Sequence, residues 1–434
     1  MKIEKVLLTA GLGGYYFDDL QAIKGGAKHD GLFYIGEPVT PGFSRIRQPG
    51  ETISVMFLLE GGQVGMGDCI AVQYSGVGGR DPVLLAEKYI PLVEKLARSS
   101  LVGRDITSFK EFCRFIDSLT SDGQGLHSGI RYGLSQAGLD AVAKARGITM
   151  AEVIADEYNL TISDKIIPIL LQSGDDRYIG ADKMILKKAP VLPHGLFNNV
   201  EKIGRRGEKL VAYVRWLNER IRNFGELGYM PEIFLAVYGT IGDIFSNDIA
   251  KITQYLAALG NAAEPFRLLV GVPMLMRSKE EQIVTSADLK KSLYNNGIDV
   301  EIVANEYCNT LEDTKDFVDR DAVHAIQIKA PVFGSLHNTI EAILYCKKHN
   351  IKPFLGGTCD STDVTARVIA QVALATQPDQ MTGRPGMGVD EAMQIPYNEM
   401  QRTLALVKYR KAMSKVTDFS RRASGEAVRK EENQ

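Results

Sequence analysis

A lysine ends the apolar run Ala325-Ile326-Gln327-Ile328-Lys329. Alternation along a strand sets Gln327 and Lys329 on one face and Ile326 and Ile328 on the other. Turned into a barrel, that ammonium loses its water, its pKa falls, and it becomes a base. Turned out of the barrel mouth, it is a solvated charge on an apolar stem. Position alone leaves both readings open. His194 ends a second run, Val191-Leu192-Pro193-His194, as one of six histidines. An imidazole there is either a proton carrier or a hydrogen-bonded structural group. Gln172-Ser173-Gly174-Asp175-Asp176-Arg177 follows a third run. Its paired acids suggest a metal, but adjacent acids in a loop commonly cap a helix, and Arg177 is at hand to neutralise one. Gly356-Gly357-Thr358-Cys359 offers backbone N–H groups, a hydroxyl and a thiol to a carboxylate, unless it is a plain strand-to-helix turn. Gly76-Val77-Gly78-Gly79-Arg80 matches neither phosphate-binding glycine pattern and reads as a flexible loop or lid.

A frame must hold these groups. From residue 166 onward, short β-rich runs at 166–171, 232–238, 267–270, 299–304, 323–329 and 352–355 alternate with amphipathic helical stretches. The helices are predicted over 208–223, 247–261, 278–295, 311–318, 339–349 and 363–375. Such repetition means a parallel sheet. No junction carries GxGxxG, and seven or eight repeats predict a (β/α)8 TIM barrel over residues 163–411, with its chemistry at the C-terminal strand ends. Residues 1–162 read as an α+β capping domain, with strands at 5–9, 54–59 and 69–72 and a hairpin through Gly61-Gly62. Helices follow at 82–97, 108–119 and 128–145, the first N-capped by Asp81 ahead of Pro82. Residues 412–434 are polar and aperiodic and read as a frayed tail, with Arg421-Arg422 solvated.

Composition narrows the function. The 434 residues hold 51 Lys plus Arg against 53 Asp plus Glu, a net charge of −2, so nothing attracts nucleic acid or an anionic membrane. No stretch is apolar enough to cross a bilayer, and Met1-Lys2-Ile3-Glu4 does not open a secretory signal. Cys69, Cys113, Cys308, Cys346 and Cys359 are odd in number and form no CxxC, which argues against disulfides and a zinc knuckle. A cytoplasmic protein is expected.

Longer motifs then come in order: Gly14-Tyr15-Tyr16-Phe17-Asp18-Asp19, Ala71-Val72-Gln73-Tyr74-Ser75-Gly76, Gln172 to Tyr178, Val237-Tyr238-Gly239-Thr240-Ile241-Gly242 and Pro385-Gly386-Met387-Gly388-Val389-Asp390-Glu391. With these the chain resembles methylaspartate ammonia-lyase, of the enolase superfamily, over nearly its whole length. The resemblance implies an enolase-like fold, a homodimer, and reversible removal of ammonia from 3-methylaspartate to give mesaconate. In that reaction a base takes the proton beside the β-carboxylate, and the resulting aci-carboxylate needs positive charge. The resemblance makes Lys329 and His194 the catalytic pair on opposite faces. It makes Gln172, Gln327, Thr358 and Cys359 the groups that bind a small amino dicarboxylate.

The family's Mg²⁺ ligands are an Asp, a Glu and an Asp at three consecutive strand ends, and those positions here are Ala236, Gly271 and Asn305. Mg²⁺ wants hard oxygens, usually with a carboxylate. No metal cofactor is therefore expected. Asp243, Glu306 and Asp360 lie near strand ends and read as surface or capping groups. Two kinds of function follow. One is a lyase whose electrophile is protonated His194 with Gln327 as an oxyanion clamp. The other is a catalytically silent or metal-independent paralogue that binds a dicarboxylate or amino acid.

Overall fold

The computed structural model describes residues 1–431, with side-chain surroundings for residues 1–413. In the N-terminal part, β1 (Ile3–Asp18) pairs antiparallel with β4 (Arg47–Leu59), which pairs with β5 (Val64–Cys69) through the Gly61-Gly62 turn. Two small hairpins, β2 (Lys28–Asp30) with β3 (Phe33–Ile35) and β6 (Thr120–Ser121) with β7 (Gln124–Gly125), decorate this part. Alternation buries Ile53, Val55, Phe57 and Leu59 of β4 against helices. The helix Phe109–Ser118 shows why helices form here. Ser108 caps it through the Glu111 N–H, and Phe109, Phe112, Cys113 and Ile116 make one buried stripe.

Eight parallel strands then close the barrel: β8 (Ile169–Leu170), β9 (Val191–His194), β10 (Glu232–Ala236), β11 (Leu268–Gly271), β12 (Val300–Ala304), β13 (Ala325–Lys329), β14 (Lys352–Gly356) and β15 (Gln380–Thr382). Each pairs with its neighbour, and β15 returns to β8 through Met381↔Ile169 and Thr382↔Leu170. Period-2 alternation separates two cores. Leu170, Val191, Phe234, Leu269, Val303, Ala325 and Phe354 fill the barrel, while Ile326 and Ile328 join the layer beneath the helices. The capped (β/α)8 architecture expected from the repeats is the one observed. No helix among the described residues is long and apolar enough to cross a membrane.

Three expectations need correction. Asp81 does not cap a helix at residue 82. That helix spans Ala86–Leu96, its first N–H is accepted by Glu51 at 2.7 Å, and Asp81 instead accepts the Ser128 N–H at 2.6 Å, at the start of the helix Ser128–Arg146. The strand β15 was missing from the sequence reading because three residues carry no period. The stretch expected to fray from residue 412 continues the helix Asp390–Glu431, since its Ala, Arg, Lys and Glu are good helix formers. The side chains of Arg421 and Arg422 lie outside those described.

Close approach of β5 to the helix Ser128–Arg146 depends on glycine. A Cβ on Gly67 would sit 2.3 Å from the Gly133 carbonyl oxygen and 2.6 Å from the Ala137 nitrogen, both backbone atoms. Gly67→Val is therefore expected to destabilise the fold by about 1–3 kcal/mol or more through overpacking, read as a lowered urea midpoint.

Candidate active site

The C-terminal strand ends and one loop of the N-terminal part enclose a cavity of about 410 Å³, counting space open to solvent. Its walls include Gln172 after β8, His194 at the end of β9, Asn305 after β12, Gln327 and Lys329 of β13, Thr358 and Cys359 after β14, and Arg384 after β15. Gln73, Tyr74 and Arg80 close it from the N-terminal side. All six candidate residues, Lys329, His194, Gln172, Gln327, Thr358 and Cys359, thus meet in one cavity. Ala325, Gln327 and Lys329 share the inward face of β13, as alternation requires.

The cavity is rich in positive charge. Lys329 is half-buried at the end of β13, and loss of water with help from Arg80 and Arg384 brings its pKa down to about 7, against the pull of Glu306. Half the lysine is then a neutral base near pH 7. Arg80 forms a buried ion pair with Glu306. Burial alone would raise the Glu306 carboxyl, but Arg80 and then Lys329 bring it below its ordinary value. Asn309 holds the Gly78 carbonyl at 2.7 Å, so the glycine loop read as flexible is tied to the barrel. His194 is 3% exposed, and its ring stacks on Phe234 at 5.9 Å between centroids.

The structure corrects the role expected for a protonated His194. Burial, Arg384 and Lys329 push its pKa down to about 3, so the imidazole is neutral and its Nδ1 has no partner. The Cys359 thiol is also buried and pushed well up, first by burial and then by Asp360, and it donates to Gln73 Oε1 at 3.7 Å. Gln73 in turn donates from Nε2 to Asp18 at 2.7 Å. Asp175 is no metal ligand, being paired with Lys202 at 2.7 Å and Arg177 at 2.9 Å. Asp243 is exposed as expected. Glu306 and Asp360, read as surface or capping groups, are 7% and 0% exposed. Both Asp360 oxygens lack partners, and burial raises its carboxyl far above the usual range.

Sequence reasoning missed Gln73, Arg80 and Arg384. Gln73 stood inside a quoted motif and Arg80 at the end of the glycine loop, so both were visible as types but not as walls of this cavity. Arg384 follows the undetected strand, and no signal pointed to it.

The strand ends bearing on a metal are β10, β11 and the residue after β12. Ala236 and Gly271 bring no side-chain donor. A Cβ on Gly271 would lie 3.1 Å from Phe234 Cζ. Asn305 is 8% exposed, and its Oδ1 is buried without a hydrogen-bond partner. Among the described residues no group of three or more His, Cys, Asp or Glu is arranged to hold a metal. The backbone around these ends is strained. His194, Tyr238, Val272 and Tyr307 have φ of 62°, 49°, 52° and 61°, a region that costs non-glycine residues energy, most of all β-branched Val272.

The chain matches the family model "methylaspartate ammonia-lyase N-terminus" over residues 1–159 and "methylaspartate ammonia-lyase C-terminus" over residues 161–409. It is 52% identical to methylaspartate ammonia-lyase 2 of Carboxydothermus hydrogenoformans, over 94% of this chain and 99% of that one. The β-methylaspartase of Clostridium tetanomorphum, solved as a magnesium complex, is 50% identical with a TM-score of 0.89, covering 94% of this chain and 100% of that one. The methylaspartate ammonia-lyase of Citrobacter amalonaticus, solved with (2S,3S)-3-methylaspartic acid, is 49% identical with a TM-score of 0.92, at 94% and 100% coverage.

The magnesium complex of so similar a relative overturns the expectation of no cofactor and supports a metal cofactor. This chain's own donors do not fit a metal gripped by side-chain carboxylates at those strand ends, because they amount to the single neutral oxygen of Asn305. Asn305→Asp puts charge on that oxygen. The variant is expected to bind Mn²⁺ at least about tenfold more tightly than the wild type by calorimetry. An unchanged isotherm would show that the cation does not touch residue 305.

Proposed function

The chain belongs to the methylaspartate ammonia-lyase family, and from that premise we propose that it reversibly eliminates ammonia from 3-methylaspartate to give mesaconate. The observation that carries this reading is the convergence of Lys329, His194, Gln172, Gln327, Thr358 and Cys359 on one cavity, with Lys329 titrating near neutrality.

Lys329 in its neutral form takes the proton from the carbon beside the β-carboxylate, and the electron pair moves into the carboxylate oxygens. That pair then returns to form the carbon–carbon double bond as the carbon–nitrogen bond breaks and ammonia leaves. The carbon acid is weak, so the amide groups of Gln172 and Gln327 and the positive field of the cavity support the developing charge. His194 stands on the same cavity as a neutral imidazole, and with its pKa pushed down to about 3 it is a far weaker base than Lys329.

A second reading is favoured by Ala236, Gly271 and Asn305, which leave the strand ends without carboxylates. In it the cavity binds a small dicarboxylate and does not turn it over. The two readings part in one experiment, with 3-methylaspartate in deuterated buffer and Mg²⁺. Mesaconate formation supports the lyase, whereas bound mesaconate with neither product nor exchange supports the second reading.

For the lyase, the pH sign follows from the base. Protonated Lys329 is inactive, so kcat/KM should climb about tenfold per pH unit below about 7 and level off above it. Lys329→Ala should lower solvent-deuterium exchange at the substrate carbon by about 10²- to 10⁴-fold while mesaconate still binds. Exchange at the wild-type rate in that variant would remove Lys329 from the mechanism.

A further inference from the structure

Gln172 and Arg384 stand side by side for a topological reason. Leu170 of β8 pairs with Thr382 of β15, and each residue lies two positions beyond its member of that pair. Arg384 is 6% exposed. Its Nη1 donates to Gln172 Oε1 at 2.5 Å and to the Gly386 carbonyl at 3.3 Å, and its Nη2 donates to the Gly357 carbonyl at 3.3 Å. The guanidinium is thus fastened to the loop after β14 and to its own loop after β15. Its Nε is buried without a partner.

Two consequences follow. A glutamine amide has an acceptor end and a donor end, and here the acceptor end is taken. Gln172, 2% exposed, therefore turns its NH₂ toward the cavity that both residues line. Arg384 also takes part in no ion pair among the described residues. Glu306 is engaged by Arg80, and Asp360, whose carboxyl burial raises well above its ordinary value, forms no ion pair with Arg384 among the described residues. A buried cation without a counter-charge is costly, and an anionic group in the cavity would lower that cost.

We propose that Arg384 is a positioning residue for a substrate carboxylate: it fixes the Gln172 amide with its NH₂ facing the cavity and supplies the uncompensated positive charge at that end. This rests on the dicarboxylate reading above. Because arginine keeps its proton throughout the working range, the orientation does not change with pH, unlike the state of Lys329. Lysine offers one ammonium in place of a planar fork and cannot serve Gln172 and both loops together.

The test is a double-mutant cycle on full-length protein, read as mesaconate affinity by calorimetry and as KM for 3-methylaspartate. Arg384→Met should weaken mesaconate binding about 10- to 100-fold and raise KM more than it lowers kcat. In a Gln172→Ala background the same substitution should cost less than about threefold, because the amide it orients is gone. Arg384→Lys should recover part of the loss, and it takes the place of Arg384→Met in the cycle if that variant does not fold. Equal losses in both backgrounds, or an Arg384→Met variant that binds like wild type, would overturn the proposal. Succinate is run alongside. If wild type binds succinate and not mesaconate, the substrate reading fails and the cycle on succinate still decides Arg384. If it binds neither, both the reading and the role of Arg384 are overturned.

Discussion

A buried ion pair joins the two parts of the molecule at the point where chemistry is expected. Arg80 comes from a glycine loop of the N-terminal part, and Glu306 from the end of a barrel strand. Neither charge is stable alone in that setting, since a single buried ion costs several kcal/mol. Their pairing lets the loop lie over the barrel mouth, where Asn309 fastens it at Gly78. It also sets the potential felt by Lys329. Arg80 disfavours the ammonium and Glu306 favours it, and with desolvation the balance falls near neutrality. The loop that closes the site is thus also part of what tunes its base.

Much of this was legible in the sequence because it followed from periodicity. Alternation within residues 325–329 put Gln327 and Lys329 on one shared face, which folding turns inward, and repetition of strand and helix implied a closed parallel barrel. What stayed hidden depends on partners far away in the chain. Gln73 takes its orientation from Asp18, 55 residues earlier, and Arg384 meets Gln172 across 212 residues. Asp81 shows the same limit on a smaller scale. Its neighbour Pro82 suggested a local helix start, yet its carboxylate serves the Ser128 N–H, 47 residues on. The neutral state of His194 was equally out of reach, because it comes from burial and from cations that only folding brings near.

Two of the cavity's three glutamines are held in opposite senses by charges behind them. Asp18 takes the amide nitrogen of Gln73, leaving its oxygen to Cys359, while Arg384 takes the amide oxygen of Gln172. The two amides on the cavity wall are therefore fixed with opposite polarity. A zwitterion with an ammonium and a carboxylate suits such a polarised wall better than an apolar or uniformly charged ligand. Polarity of this kind arises from neutral side chains, and so it avoids the desolvation cost that two more buried charges would bring.

Gly271 helps to set the shape of the barrel mouth. Ala236 already carries a Cβ and Asn305 already carries an oxygen, so larger or charged side chains there grow from atoms in place. Gly271 is different, because a Cβ there would press on Phe234 at 3.1 Å, and Phe234 in turn lies against the ring of His194. A side chain at position 271 asks the Phe234 ring to give by a few tenths of an ångström. Of the three strand-end positions, 271 is therefore the one where a side chain must be accommodated by a neighbouring ring.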